Sequence, residues 1–173
     1  MCRIVLRADS HGRYLAERLL KLGHQVDCVF KPSAPQKEVV KVGSCNPDDV
    51  LVIIGGTNDT WSLSSKSFSP DQIHDILHGM DLDDLKTIQN KVIYVAIPKR
   101  MGVQGGDDIN ALINKINGRV FNILRKNKNI IFMNNSWMTE SHYSADGIHL
   151  NDAGKNILAQ KIDIILRPPL ALQ

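Results

Sequence analysis

Short unbroken apolar runs alternate along this chain with longer stretches in which apolar residues recur at helical spacing. Ile4-Val5-Leu6, Val26 to Phe30, Val50 to Ile54, Val92 to Ile97 and Ile130 to Met133 read as five strands. The third, Val50-Leu51-Val52-Ile53-Ile54, is apolar without alternation, as a central parallel strand covered on both faces must be. Between the runs, Tyr14, Leu15, Leu19 and Leu22 mark a helix over 13–22 that Gly23 ends. Further helices are predicted around 36–42, 71–77 and 82–88. A long one spans 107–126, with Ile109, Leu112, Ile113, Ile116, Val120, Ile123 and Leu124 on one stripe. Asn151 or Asp152 caps a last helix through Leu166, which Pro168-Pro169 stops.

Strands interleaved with helices predict an α/β fold, a parallel sheet with helices on both faces. No repeat, linker or low-complexity segment interrupts it, so residues 1–173 read as a single domain. Composition then narrows the class. With 43% hydrophobic and 23% charged residues, the chain can build a core and is not of the disordered type. No apolar run approaches the roughly 20 residues of a membrane span, and the first residues resemble a strand more than a signal peptide. Three cysteines, Cys2, Cys28 and Cys45, lack zinc-site or disulfide-framework spacing, so no metal or cofactor is expected. The net charge of +3 permits a nucleic-acid partner without favouring one, since Lys and Arg are scattered.

In open α/β sheets, sites form at the carboxyl ends of the strands. After strand one stand Asp9-Ser10-His11-Gly12, after strand three Gly55-Gly56-Thr57-Asn58-Asp59, and before the last helix Asp146-Gly147-Ile148-His149. Each alone has an ordinary reading as a cap or a turn. Converging on one rim, they suit acyl transfer. A serine hydroxyl needs a base, an imidazole titrates in the useful range, and a carboxylate fixes its tautomer. The Ser10 backbone N–H and the Asn58 amide are candidate oxyanion donors.

These three blocks, in this order and over nearly the whole chain, resemble the SGNH (GDSL-type) hydrolases. The resemblance implies a flavodoxin-like three-layer sandwich, Ser10 as nucleophile, His149 as general base and acid, Asp146 as its orienting carboxylate, and Asn58 in the oxyanion hole. Asp9, Gly56 and Asp59 complete the motifs. It implies esterase, lipase, thioesterase or deacetylase activity without a metal. Two positions depart from the family pattern. Ala8 stands where a glycine precedes the Asp-Ser pair, and Ser33 is the best candidate for the second-block glycine that supplies an oxyanion N–H. If that position needs positive φ, Ser33 is strained.

The Asp-Ser-His-Gly-Arg start and Val-Ile-Ile-Gly-Gly-Thr-Asn-Asp stretch are similar, more narrowly, to the esterase-like domain in the first open reading frame of some LINE-type retrotransposons. That similarity implies a cytoplasmic protein working beside nucleic acid. Two functions follow as expectations: a serine esterase acting on a small acyl ester, or a weakly active module of the same fold binding RNA or a protein. Trp61 and Trp137 are candidate pocket walls, 142–144 a site edge and 102–106 a lid, each with packing or connection as its plainer role. His11 either shapes the pocket or faces solvent.

Overall fold

A computed structural model of the chain describes residues 3–41, 43, 45–60, 70–102 and 106–167. Five parallel strands form one sheet: β1 (Arg3–Ala8), β2 (Gln25–Phe30), β3 (Val50–Ile54), β4 (Lys91–Val95) and β5 (Ile130–Met133). Their spatial order is β2-β1-β3-β4-β5. Six α-helices connect and cover them: α1 (Leu15–Lys21), α2 (Gln36–Val39), α3 (Pro70–Met80), α4 (Asp83–Thr87), α5 (Gly106–Leu124) and α6 (Asp152–Leu166). None is long and apolar enough to cross a membrane.

Alternation along the central strands divides the core in two. Leu51 and Ile53 of β3, with Val92 and Tyr94 of β4, pack on α5 through Ile109, Leu112, Ile113, Ile116, Val120 and Leu124. Val50, Val52 and Ile54, with Ile93 and Val95, face the other way, onto Leu15 and Leu19 of α1 and Leu158, Ala159 and Ile162 of α6. Every residue of β3 is buried, which is why its sequence carries no polar position. Strand β2 lies at an edge, and only every second residue along Gln25–Cys28 is partly covered, so its apolar run is shorter and mixed.

The chain leaves β1 over one face through α1 and leaves β2 over the other through α2. The connections therefore diverge between β1 and β3, and the crevice beyond their carboxyl ends is where a doubly wound sheet places a ligand. The strand and helix expectations hold to within a few residues, with one difference. The helix read over 13–22 begins only at Leu15, and a separate 310 turn (Ser10–Gly12) precedes it. The break is Tyr14, whose φ of 62° lies in the left-handed region. Trp61, most of the 102–106 loop, Cys2 and Pro168-Pro169 fall outside the described residues.

Candidate active site

Strand β1 delivers Asp9 and Ser10 to the rim directly. The Asp9 N–H donates to the Ile54 carbonyl at 2.9 Å, extending the β1–β3 ladder by one residue. The Asp9 carboxylate then caps the 310 turn by accepting the His11 N–H, also at 2.9 Å. Ser10 is thus the first residue of a turn pinned to the sheet, where a backbone N–H has no partner within the turn.

His149 arrives from the opposite end of the chain on a loop without regular structure. Three groups of contacts fix that loop. It closes on itself through Ser144 N–H to His149 O (2.8 Å) and Gly147 N–H to Ser144 O (2.9 Å). It accepts the Met101 N–H at Gly147 O (2.7 Å). It also accepts His11 Nε2–H at Ile148 O (3.1 Å). Gly147 has φ 66°, and a Cβ there would stand 1.6 Å from the Met101 carbonyl oxygen, so only glycine fits this approach.

Ser10, His149 and Asp146 form one line of hydrogen bonds. His149 Nδ1 lies 2.6 Å from Asp146 Oδ2, and its Nε2 lies 3.1 Å from Ser10 Oγ. A carboxylate oxygen can only accept, so Nδ1 carries the proton and Nε2 is left as the acceptor of the Ser10 hydroxyl. Asp146 Oδ1 accepts the backbone N–H groups of Ile148 (2.9 Å) and His149 (3.0 Å). Partial burial works against the carboxylate, but the bonds from His149 and these two amides outweigh it and hold Asp146 at about 2. Both side chains are nearly half exposed, at 45% for His149 and 46% for Asp146.

Beneath them lies a second Asp–His pair, fully buried. His11 Nδ1 is 3.0 Å from Asp9 Oδ1, and the His11 ring stacks on that of His149 with centroids 5.6 Å apart. The Ile148 carbonyl can only accept, so His11 Nε2 is protonated whatever the state of Nδ1. Burial pushes the His11 pKa down, but Asp9 and the Ile148 carbonyl push it up further, and the net shift is upward. His11 therefore does not face solvent: it is buried and touches the His149 loop through the Ile148 carbonyl.

The oxyanion candidates Ser33 and Asn58 border the same cavity as Ser10. Ser33 adopts φ 61°, so the serine standing at the expected glycine position does take a left-handed backbone. Asn58 and Asp59, after β3, fasten the segment that follows it. Asn58 Nδ2 donates to Ala34 O at 3.0 Å, and Asp59 accepts the Gln36 N–H at 2.7 Å. Burial raises the Asp59 pKa. Gly56 has φ 93° at the turn out of β3. An amide carries two N–H groups, so the bond to Ala34 leaves Asn58 one more donor.

Ser10, Ser33, Asn58 and His149 all border one cavity of about 780 Å³. Arg13, Tyr14, Phe30, Pro32, Leu150 and Lys155 also line it. The sequence analysis did not place these as site residues; the only signal was their nearness in sequence to the motifs. Of the proposed edge, Ser144 borders the cavity while Tyr143 is buried. Trp137 instead packs edge-to-face on His142, in keeping with its plainer role. Among the described residues no group of three or more His, Cys, Asp or Glu is placed to hold a metal ion.

No protein-family model matches the chain, and no curated protein sequence does. Solved structures do. An acetylxylan esterase from Geobacillus stearothermophilus is 14% identical, with a TM-score of 0.68 over 99% of this chain and 97% of its own. A member of the lipolytic G-D-S-L family from Veillonella parvula is 12% identical, with a TM-score of 0.68 over 96% and 98%. The catalytic domain of a peptidoglycan O-acetyltransferase from Streptococcus pneumoniae is 16% identical, with a TM-score of 0.62 over 95% and 92%. The fold is that of the SGNH hydrolases, a parallel five-stranded α/β sandwich.

Proposed function

We propose that the chain is a serine ester hydrolase of the SGNH type that cleaves a small acyl ester through an acyl-enzyme. The observation that carries this reading is the single line of hydrogen bonds from Asp146 through His149 to Ser10 Oγ, opening on a cavity. In the first step Ser10 Oγ bonds to the ester carbonyl carbon while its proton passes to His149 Nε2. Asp146, held ionised, stabilises the imidazolium that forms. The carbonyl oxygen gathers negative charge, and the Ser10 and Ser33 backbone N–H groups with the Asn58 amide are the donors bordering that space. His149 then protonates the leaving alcohol as its bond to carbon breaks. A water repeats the sequence on the acyl-serine, releasing the acid. The names of the similar acetylxylan esterase and O-acetyltransferase support an acetyl or other short acyl group.

One observation favours a second reading, in which the fold is kept as a binding module for RNA or a protein. Ser33 holds by strain a backbone conformation that glycine holds freely, which weakens an oxyanion donor's positioning. A fluorophosphonate probe separates the two. The active enzyme is labelled at Ser10, and Ser10→Ala is not. Absence of Ser10-dependent labelling in folded protein refutes the esterase reading.

A further inference from the structure

The cavity has a polar asymmetry that ester cleavage alone does not use. Ser33 and Asn58 border the site cavity alone. Tyr14, Ser144, Leu150 and Lys155 border both that cavity and an adjoining one of about 520 Å³, so the groove runs on past Leu150 over the start of α6. Arg13 opens this arm from the end of the 310 turn. Its guanidinium lies 5.6 Å from the centre of the Tyr14 ring, and the Lys155 ammonium lies 5.4 Å from the same centre. Two cations from opposite ends of the chain thus bracket one half-exposed ring, on a residue whose left-handed backbone must be enforced by its surroundings.

Asp152 also lines the adjoining cavity and attracts Lys155, but its carboxylate is bonded to Arg18 at 2.6 Å, and Arg18 also donates to Asn156. Among the described residues neither Arg13 nor Lys155 forms an ion pair or hydrogen bond with a carboxylate. Burial, Arg18 and Arg13 lower the Lys155 pKa and outweigh the opposing effect of Asp152. A partly buried lysine beside an exposed arginine, neither paired with a carboxylate, marks a place where an anion is stabilised.

We propose that this arm binds an anionic group, carboxylate or phosphate, carried on the alcohol side of the ester. The side follows from the mechanism proposed above, on which this inference rests. His149 must reach the leaving oxygen, and the groove that continues from His149 through Leu150 leads to Lys155. The carbonyl oxygen then turns to Ser33 and Asn58, and Phe30 and Pro32, which also line the cavity, are left to the acyl part.

Matched acetyl esters test it: 4-acetoxybenzoate, 4-acetoxyphenyl phosphate and the neutral methyl 4-acetoxybenzoate. At low salt kcat/KM is expected to be about tenfold higher for one or both anionic esters than for the neutral one. The ratio falls toward one with rising salt and in Arg13→Gln/Lys155→Met, and inverts in Lys155→Glu. The phosphate and carboxylate arms rank the two anions. Mono-4-nitrophenyl succinate against 4-nitrophenyl acetate asks about the acyl side, and a preference for the succinate in place of the anionic alcohols overturns the assignment. Equal turnover of anionic and neutral alcohols overturns the anion site and leaves the hydrolase standing. Binding of the same esters to Ser10→Ala is measured separately. If the wild type cleaves none of them while Ser10→Ala prefers the anions, the hydrolase falls and the anion site stands. No preference in that binding removes the site.

Discussion

The sharpest test of how this chain holds Ser10, the proposed nucleophile, is Gly12→Ala. Gly12 ends the 310 turn that begins at Ser10, and its Cα faces the end of β1. A Cβ there would lie 2.4 Å from the Ala8 Cβ and 3.2 Å from the Phe30 Cβ. Methyl carbons rest at about 3.5–4.0 Å, so the first contact demands a displacement of about 1 Å. Ala8 cannot yield easily. It pairs with Phe30 and Ile54, and its carbonyl accepts the Lys31 N–H at 2.9 Å. The turn must move instead, carrying Ser10 away from His149. Overpacking of this kind costs about 1–3 kcal/mol, and a misplacement of about 1 Å at the reacting atom costs about a hundredfold in rate. Ala8→Gly alone costs about 0.5–1 kcal/mol as a strand glycine. The double variant Ala8→Gly/Gly12→Ala removes the worst contact, leaving only the milder one to Phe30, so it should recover most of the stability and labelling lost in Gly12→Ala. Urea unfolding and the rate of Ser10 labelling for all four proteins read the cycle. Additive losses in the double variant, or wild-type labelling in Gly12→Ala, would refute the idea that Ala8 and Gly12 share one space.

Four further outcomes follow from the geometry. Gly147→Ala meets the Met101 carbonyl and a left-handed backbone together, and labelling should fall by about a hundredfold in a protein that still folds by circular dichroism. Ser33→Gly keeps the N–H and relieves left-handed strain of about 1 kcal/mol, partly offset by a more flexible unfolded chain; urea unfolding should show stability equal or raised by up to about 1 kcal/mol, with labelling retained. Asp146→Asn takes the carboxylate from His149 Nδ1 and should slow turnover on the order of 10³–10⁴-fold, the serine-protease scale; because Asp146 is held at about 2, a loss of wild-type activity above about pH 4 cannot come from its protonation. The His11 pKa is raised on folding, so its contribution to stability is complete below about pH 6.5 and disappears as pH rises through the folded value. Urea unfolding across that window should show the wild type losing stability where His11→Gln is flat.

What could be read from the sequence was whatever depends on one segment at a time. The apolar run of β3 states that both its faces are covered, and alternation with amphipathic stretches states that the sheet is parallel. The rim residues followed from that topology, because strand ends in such a sheet converge wherever the loops go. What could not be read depends on pairs far apart in the chain. The break at Tyr14 is invisible to helical spacing, since Leu15 and Leu19 keep their period on either reading. Nothing local says that Asn58 and Asp59 hold the backbone at Ala34 and Gln36, a role their motif position does not distinguish from a turn. The six cavity-lining residues from Arg13 to Lys155 were missed for the same reason: they meet only when the turn after β1, the end of β2 and the start of α6 come together.

The exposure of the proposed base and its carboxylate sets a problem that the buried pair answers. His149 and Asp146 are nearly half exposed on a loop without helix or strand, and an exposed side chain gains little from packing to fix its place. Most of the precision must therefore come through the backbone, and the His149 loop is gripped there by Met101 N–H and by His11 Nε2–H. Of these, only the His11 contact joins the loop directly to the turn bearing Ser10, because Asp9 binds both the His11 ring and the His11 N–H. One carboxylate thus sets the turn bearing Ser10 and, through His11, the carbonyl adjoining His149. The upward shift that Asp9 imposes on His11 favours the imidazolium, and such a pair carries no net charge, so this link can lie under His149 without a large field of its own opposing the charge that His149 takes up in the proposed mechanism.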